Sequence, residues 1–261
     1  MKQFLPSLVF MMCCHFTWAQ NISGIINNYA QVTGIAGTII TTISSAGFSV
    51  GDQIVIIQMK GATIINTNIV SYGDITSLND AGNWEFATIA AITGNDIIIS
   101  ADLVNTYTAT NGKVQIVSVP SYCSVTITDT LSCQPWDGLT GGVLAFISGG
   151  TVTMNADINV SGKGFRPGPT CNNGTLNCSN TGYFYNPDNC LAGWKGEGIA
   201  EYVNAAQSGG RAKLANGGGG SNKGNSGGGG GGNYGAGGLG GFEDNSCGAT
   251  GIQDFGGLAL D

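Results

Sequence analysis

The sequence has few charged residues and one histidine. Only 10% of its 261 residues are charged, against about 25% in ordinary domains, and the net charge is −7. No lysine or arginine cluster stands out, which argues against nucleic acid or an anionic membrane surface as a partner. His15 lies inside a segment that we interpret below as a cleaved signal. The mature chain then has no histidine, which excludes Ser-His-Asp and Cys-His catalysis and histidine-bound zinc or copper.

The first apolar stretch, residues 4–12, is too short to span a bilayer. It follows Lys2 and precedes Thr17-Trp18-Ala19, so the segment has the positive region, apolar core and cleavage site of a secretory signal. We therefore predict a signal peptide over residues 1–19 and a new N-terminus at Gln20. The protein is expected to be secreted or held at the cell surface, without spanning the membrane.

No window of the sequence shows sustained helical periodicity, so we predict an all-β fold with little helix. Residues 20–120 are predicted as an N-terminal β domain, and residues 121–261 as a second β region with a disulfide loop and a glycine-rich lattice. A polar loop is expected over residues 66–83 and a short helix over residues 194–206. The chain stops at Asp261 with no turn, tail or cap, so we interpret it as truncated at its C-terminus.

Several apolar segments predict strands. Residues 53–59 (QIVIIQM) are typical of a strand buried on both faces, and residues 84–92 and 97–100 flank a turn. Residues 143–147 predict a further apolar strand between glycine pairs. Residues 151–160 alternate five apolar with five polar side chains, which predicts one buried and one exposed face. This pattern suits a β-sandwich face or a rung of a short parallel β-solenoid, and the sequence does not separate the two.

Residues 209–241 hold a large share of the 45 glycines of the chain. They could form a flexible linker, or an ordered bundle of polyproline-II-type strands whose backbones approach closely. We favour the bundle, because a three-residue period is one polyproline-II turn and because Tyr234, Leu239 and Phe242 interrupt the run. The run has no proline, which argues against a collagen helix. The glycines with this period are Gly229, Gly232, Gly235, Gly238 and Gly241.

Six cysteines remain once the signal is removed. An even number in an exported chain predicts disulfides, with fifteen connectivities open. Cys123 and Cys133 flank a short hairpin-like segment, so they are the expected local pair. Metal binding is the competing interpretation, but the sequence has no CxxC pair. The disulfide candidates are Cys123, Cys133, Cys171, Cys178, Cys190 and Cys247.

Candidate chemistry is sparse, and we predict no catalysis. Pairs of acids could serve a glycosidase, but their spacing indicates only solvated loops. Oxygen-rich loops at residues 186–189 (NPDN) and 243–245 (EDN) are candidates for structural calcium, and no other cofactor is expected. A GxGxxG match in the glycine run lacks the βαβ frame of a dinucleotide site. The acid pairs are Asp74 with Asp80, Asp96 with Asp102, and Glu197 with Glu201.

Four aromatic residues near the predicted disulfide loop could form a surface-contact patch for a carbohydrate or another surface. Core packing is the competing interpretation for Trp194. The candidates are Tyr183, Phe184, Tyr185 and Trp194.

Four segments carry a resemblance to a known group of proteins: GDQIVIIQMKGA (51–62), AGNWEFATI (81–89), WDGLTGGVLAF (136–146) and NADINVSGKGF (155–165). They resemble the N-terminal region of large secreted Bacteroidota surface proteins of the type IX secretion or gliding-associated type. The resemblance implies a β region that leads into a glycine-rich block. It also implies a C-terminal sorting domain, which this sequence lacks.

The run GGGGGGNYGAGG (227–238) is loosely similar to the glycine-rich region of anaplastic-lymphoma-kinase-type receptors, and to glycine-rich tips of phage tail adhesins. In those receptors, polyproline-II strands sit on a tumour-necrosis-factor-like sandwich. Together these patterns predict a secreted cell-surface structural or adhesive module, an adhesin without catalysis. The alternatives are a carbohydrate-binding accessory domain or glycan-active enzyme fragment, and a filament or phage-like tip component. The expected partner is an extracellular glycan or protein, or a further copy of the chain.

Overall fold

The computed structural model describes residues 19–171, 181–186, 192–222, 226–241 and 254–260. Within these ranges the chain forms thirteen strands, a 3₁₀ helix at Ala205–Gln207 and no α-helix, which confirms the all-β prediction. No helix in these ranges is long and apolar enough to cross a membrane. The strands are β1 (Gln20–Ile25), β2 (Tyr29–Ala36), β3 (Ile39–Thr42), β4 (Gln53–Lys60), β5 (Thr63–Ile64), β6 (Ile75–Ser77), β7 (Trp84–Thr93), β8 (Asp96–Ile99), β9 (Lys113–Ser118), β10 (Ser121–Tyr122), β11 (Val125–Ser132), β12 (Ile147–Ser148) and β13 (Val152–Met154).

Six antiparallel strands close into a barrel in the order β2-β3-β8-β7-β4-β9. Two of its hairpins turn within two residues, and each turn contains a glycine with positive φ, Gly37 at 57° and Gly94 at 60°. Glycine adopts this left-handed backbone without steric cost, and such turns match the twist of the flanking strands. The buried residues of the barrel core are aliphatic apart from Phe48, and the partly buried Tyr107 packs against them. The buried core residues are Ala30, Val32, Ile40, Phe48, Ile54, Ile56, Ile89, Ile97, Ile99, Val114 and Ile116.

Strand β4 is buried on both faces, as residues 53–59 predict. Ile54 and Ile56 pack in the barrel core, whereas Val55 packs in a second cluster on the opposite face of the strand. Residues 143–147 cover this second cluster, so the barrel wall has apolar neighbours inside and outside. The second cluster consists of Val55, Val117 and Val119, covered by Tyr29, Val143, Ala145 and Ile147.

The predicted strand at residues 143–147 is wrong except at its last residue, which begins β12. Side chains of the barrel take the place of a neighbouring strand. The Tyr29 hydroxyl donates to the Val143 carbonyl at 2.6 Å, and the Asn27 amide donates to the Ala145 carbonyl at 2.6 Å. Because these backbone groups are already satisfied by side chains, the segment has no ladder to join.

A second sheet is parallel, with the order β1-β11-β13. Val125 pairs with Val152 and Leu131 with Ile158, so the chain returns to the same position 27 residues later in both cases. We call this three-layered arrangement the parallel stack; β10 and β12 form a parallel pair beside it. Strand β1 pairs with β11, not with the barrel. The first strand of the predicted N-terminal domain therefore lies in the sheet of the second region, and the barrel is inserted between β1 and β11.

Residues 151–160 form a shorter strand than predicted. Only Val152–Met154 belong to β13, and Ile158 adds a single bridge to Leu131. The apolar face of this segment was predicted to be buried, and this is also wrong, since Val152, Met154 and Ile158 are exposed. These side chains have β11 on one side, but no described residue covers them on the other.

The predicted helix over residues 194–206 is wrong, because only its last two residues enter the 3₁₀ helix. The backbone of this segment forms hydrogen bonds with other segments instead. The Lys195 N–H donates to the Ser208 carbonyl and the Gly196 N–H donates to the Gly218 carbonyl, both at 2.8 Å. Glycine at positions 196 and 198 also disfavours a helix by about 1 kcal/mol each. The predicted loop over residues 66–83 contains one short strand, β6.

Candidate functional site

The glycine-rich part of the chain forms a layered bundle that we call the glycine lattice, defined as residues 193–198, 208–222, 226–241 and 254–260. Neighbouring segments run antiparallel, and their backbone hydrogen bonds recur at every third residue. Three residues make one turn of a polyproline-II helix, so this period matches the predicted arrangement. The bonds, donor first, join Gly193 to Ser221 and Gly196 to Gly218, Gly229 to Gly219 and Gly232 to Asn216, and Gly237 to Gly257 and Gly240 to Asp254.

Segments of the lattice approach too closely for a β-carbon at many positions. A Cβ on Gly220 would meet the carbonyl group of Gly193, and a Cβ on Gly229 would meet that of Phe255. At Gly238, by contrast, a Cβ would meet nothing within 4 Å. The described lattice is therefore ordered by backbone contacts that need glycine at particular positions, and the flexible-linker interpretation does not describe it.

A buried lysine holds three carbonyl groups of this region together. Lys195 is 5% exposed, and the ring centroid of Tyr72 lies 5.0 Å from its Nζ. Burial lowers the pKa of Lys195 well below its ordinary value. The carbonyl groups and the aromatic face replace the water that an ammonium group normally binds. Nζ donates to the carbonyl oxygens of Tyr183 at 3.0 Å, Gly210 at 2.8 Å and Ala212 at 2.6 Å.

Two of the predicted surface-contact aromatics pack beside this lysine. Phe184 lies against the fully buried Tyr72, with ring centroids 5.2 Å apart, and Tyr183 lies 6.1 Å from Phe255. The guanidinium of Arg211 lies 5.3 Å from the Tyr183 ring and 5.1 Å from the Phe255 ring. These aromatic rings therefore anchor the lattice through stacking and cation–π contacts.

The other two predicted aromatics, Tyr185 and Trp194, form backbone bridges with the same residue, Gly209. The Tyr185 hydroxyl also accepts a hydrogen bond from the Gly182 N–H at 2.6 Å. All four aromatics are half-buried. Their described contacts are internal, and a role in binding a ligand stays a prediction.

The acids of the predicted pairs have local structural partners. Asp74 forms an ion pair with Lys213 at 2.7 Å, and Asp80 accepts hydrogen bonds from the hydroxyls of Thr106 and Thr108 at 2.7 and 2.9 Å. These contacts are structural, and the absence of catalysis stays a prediction. Asp96 accepts a hydrogen bond from the Thr41 hydroxyl at 2.7 Å, and Glu201 forms an ion pair with Lys113 at 3.9 Å. The Asp102 carboxylate lies beside Gly37.

Glu197 is the centre of a charged cluster beside the lattice. Its Oε1 lies 2.7 Å from Nη2 of Arg166 and 3.3 Å from Nζ of Lys60, and its Oε2 accepts from the Arg166 backbone N–H. Partial burial works to raise the pKa of Glu197, but hydrogen bonds from Arg166 and the attraction of Lys60 outweigh it and lower the pKa to about 2. A carboxyl group with so low a pKa carries no proton at neutral pH, which is unsuited to a general acid.

Acidification is expected to weaken this cluster. Folding lowers the pKa of Glu197 from 4.5 to about 2, so the unfolded state binds more protons between these values. The stability from this carboxylate is complete above pH 4.5 and is lost as the pH falls towards 2. Calorimetry across this window should show a shallower pH dependence of Tm for Glu197→Gln than for the wild type. Glu201→Gln, the control, should keep the wild-type slope; equal slopes in all three proteins would contradict the assignment.

The predicted disulfide between Cys123 and Cys133 is wrong, because these two cysteines are not joined to each other. The segment between them is not a hairpin but the single strand β11. Eight extended residues span roughly 26 Å, whereas a disulfide needs Cα atoms about 4.4–6.8 Å apart. Burial raises the pKa of the Cys133 thiol. Cys171 is disulfide-bonded. Cys178, Cys190 and Cys247 lie outside the described ranges.

The loops predicted to hold calcium fall almost wholly outside the described residues. Asn186 is described, whereas residues 187–189 and 243–245 are not. In the described ranges, no group of three or more carboxylate, cysteine or histidine side chains is placed to hold a metal ion. Structural calcium stays a prediction.

A cleft of about 470 Å³ opens beside the Glu197 cluster. Its walls combine aromatic rings with charged groups, which are the components of a site for a small polar ligand. The side chains of interest in its lining are Lys60, Arg166, Trp194, Glu197, Glu201 and Tyr202.

The sequence did not predict the side chains that hold this region together. Lysine is rarely buried unless it is paired, and nothing near Lys195 or Lys60 in the sequence marks either as buried. The available signal for Lys195 is its position among glycines that lack side chains of their own. Tyr72 lies in a segment predicted as a polar loop, and nothing in that prediction indicates a fully buried ring.

Comparisons with known proteins assign no family to the chain. No protein-family description matches the sequence, and no curated protein matches it. Among solved structures, the chain is similar to the crystal structure of the tailspike protein gp49 from Pseudomonas phage LKA1, with 16% identity and a TM-score of 0.23. The match covers 43% of this chain and 19% of the tailspike protein. A likeness at this level carries no argument about function.

Proposed function

We propose that the chain is a secreted structural or adhesive module of a cell surface, and that it acts without catalysis by presenting a rigid glycine-rich surface. The observation that supports this role is the three-residue hydrogen-bond period of the glycine lattice. Backbone groups that bond to each other at every turn give a stiff support without large side chains. The predicted signal peptide supports export. The resemblance to Bacteroidota surface proteins supports the type IX route.

The exposed layer of the lattice, residues 226–241, is the surface that we propose makes contact. Most of its described residues are exposed, and two large side chains project from it: Tyr234 is 85% exposed and Leu239 is 63% exposed. Tyrosine on a rigid support provides contact area at low entropic cost. The proposed partner is an extracellular glycan or protein.

Removing these two side chains is expected to weaken binding. The double variant Tyr234→Ala, Leu239→Ala should bind a glycan or matrix-protein array about tenfold more weakly or worse, because exposed anchors carry most of the energy of such contacts. Affinities for the strongest hits are then measured by surface plasmon resonance. Val104→Ala is the matched control, since Val104 is 91% exposed but lies in a loop of the barrel. Full binding by the double variant would contradict this surface assignment.

A carbohydrate-binding accessory domain or glycan-active enzyme fragment is the second candidate. The observation in its favour is the cleft that holds Trp194, Tyr202 and the carboxylates of Glu197 and Glu201. If the cleft binds sugar, Trp194→Ala should remove the array signal while the Tyr234 and Leu239 double variant keeps it. Hydrolysis of an array glycan that disappears in Glu201→Gln would refute a role without catalysis.

A further inference from the structure

The parallel stack ends in an uncovered apolar row. Val125 and Ile127 on β11 are completely buried, but their partners on β13 are not: Val152 is 41% exposed and Met154 is 60% exposed. Leu131 and its partner Ile158 show the same difference. A side chain in a parallel stack is buried by a neighbour on each side. The row on β13 has only one such neighbour among the described residues.

The backbone of β13 is also open on this side. The Thr151 carbonyl accepts from Val125, and the Asn155 N–H donates to Ile127. In a parallel strand, alternate residues bond to opposite sides, so the N–H and C=O groups of Val152 and Met154 point away from β11. No described residue bonds to them. Such an edge is a template for another strand.

Strand β1 provides the complementary edge at the opposite side of the stack. The Gln20 N–H donates to Ser124 in the β10–β11 connection, so the backbone groups of the odd-numbered residues Asn21 and Ser23 point away from β11. In the described ranges β1 has no second neighbour, and its surface is exposed apart from Ile22.

The register of the stack favours β1 of a second copy as the strand that completes β13. Ile22 pairs with Ile127, and Ile127 pairs with Met154, so one ladder of apolar side chains runs through all three strands. A parallel strand that continues this register on β13 places its own Ile22 on Met154. The free N–H and C=O groups of Met154 then face the free backbone groups of Asn21 and Ser23 of the second copy. These two residues flank Ile22, and a parallel pair requires this arrangement because each residue bonds to the two neighbours of its partner.

We propose that copies of this chain associate head to tail, with β13 of one copy pairing in parallel with β1 of the next. The two edges differ, so each contact leaves one open β13 and one open β1 at the ends of the assembly. Such heterologous contacts do not close on themselves in a dimer, and they extend into chains. The inference goes beyond the proposed surface role and does not depend on it, because a single copy presents the same glycine lattice.

The first test measures the mass of the purified mature chain by light scattering over a range of concentrations, with electron microscopy of the same samples. We expect the average mass to rise continuously with concentration, and linear particles to appear. A chain that stays monomeric at every concentration would show that another element covers the edge, and would overturn the proposal. A closed dimer would also overturn it.

The second test blocks each edge separately. Met154→Lys places a charge on the exposed row of β13, and Asn21→Pro removes an outward N–H of β1 without touching its bonds to β11. Each variant alone should be monomeric, because each keeps only one working edge. Val104→Lys, which adds the same charge to the barrel, should assemble like the wild type.

Mixing the two blocked variants gives the most specific result. Asn21→Pro keeps a working β13 and Met154→Lys keeps a working β1, so the mixture should form one-to-one dimers and nothing larger. A mixture that stays monomeric, or a Met154→Lys variant that still forms chains, would overturn the proposal. Circular dichroism confirms that each variant is folded; Val152→Lys and Ser23→Pro replace any variant that is not. The monomeric variants also bind the array normally if the proposed surface role is correct, which separates the two questions.

Discussion

The Gly220→Ala variant is expected to lose about 3 kcal/mol of unfolding free energy. Gly220 is buried in the lattice, and its N–H donates to the Gly210 carbonyl at 2.9 Å. A methyl group there would overlap the carbonyl group of Gly193, which is backbone and cannot rotate away. The neighbouring segment must move, and the hydrogen bonds on both sides are then distorted. Urea denaturation followed by circular dichroism measures the loss.

Gly238→Ala is the matched control for this variant. It lies in the same lattice and has the same chemistry, but its β-carbon would meet nothing within 4 Å. This substitution is expected to be neutral or to stabilise by up to about 1 kcal/mol, because alanine has less conformational freedom in the unfolded chain. Equal losses in the two variants would contradict a lattice built on close backbone approach.

The Lys195→Met variant is expected to lose about 3 kcal/mol of unfolding free energy, because it removes three hydrogen bonds from a buried site. Methionine keeps most of the stem but donates no hydrogen bond. The Ala212 carbonyl would then lose its donor in a buried site, and the carbonyls of Tyr183 and Gly210 would each lose one of two donors, since they also accept from the N–H groups of Ala212 and Gly220. Each unsatisfied group costs about 1–3 kcal/mol. Thermal and urea unfolding measure the change.

Lys113→Met is the control for the lysine substitution. Its ammonium group lies 3.9 Å from Glu201, and both side chains are partly exposed. Such a pair contributes at most about 1 kcal/mol, so the control should unfold almost like the wild type. A Lys195→Met variant as stable as this control would show that the lysine is not needed to hold the lattice.

The individual barrel strands could be predicted from local patterns, but the barrel could not. The apolar run at residues 53–59 and the turn at Gly94 and Asn95 carry their own signals, and β4, β7 and β8 form there. Barrel closure depends on β2 pairing with β9, whose partners Tyr29 and Val117 lie far apart in sequence. No local pattern encodes such a pairing. The wrong prediction of a Cys123–Cys133 disulfide has the same cause. The segment between the two cysteines is β11, which pairs with the distant strands β1 and β13 and does not fold back on itself as a hairpin.

The candidate site could also be predicted only in part, because some of its contacts join segments that are distant in the sequence. The three-residue spacing of Gly229 and Gly232 indicates polyproline-II geometry, and both residues donate lateral hydrogen bonds in the lattice. Burial of Lys195 depends on carbonyl groups supplied by three separate positions. It becomes visible only when the segments are brought together. The sequence therefore predicts the repeating part of the lattice better than the side chain that anchors it.

The insertion of the barrel between β1 and β11 has a consequence for the order of assembly. The chain enters and leaves the barrel at adjacent points, where the Asn28 N–H donates to the Ser118 hydroxyl at 2.8 Å and the Asn27 amide donates to the Ser118 carbonyl at 2.7 Å. Once folded, the barrel acts as a short connection and removes most of the entropic cost of joining β1 to β11. A chain synthesised from its N-terminus therefore carries β1 undocked until β11 has emerged, and the first strand to be made is among the last to find its place.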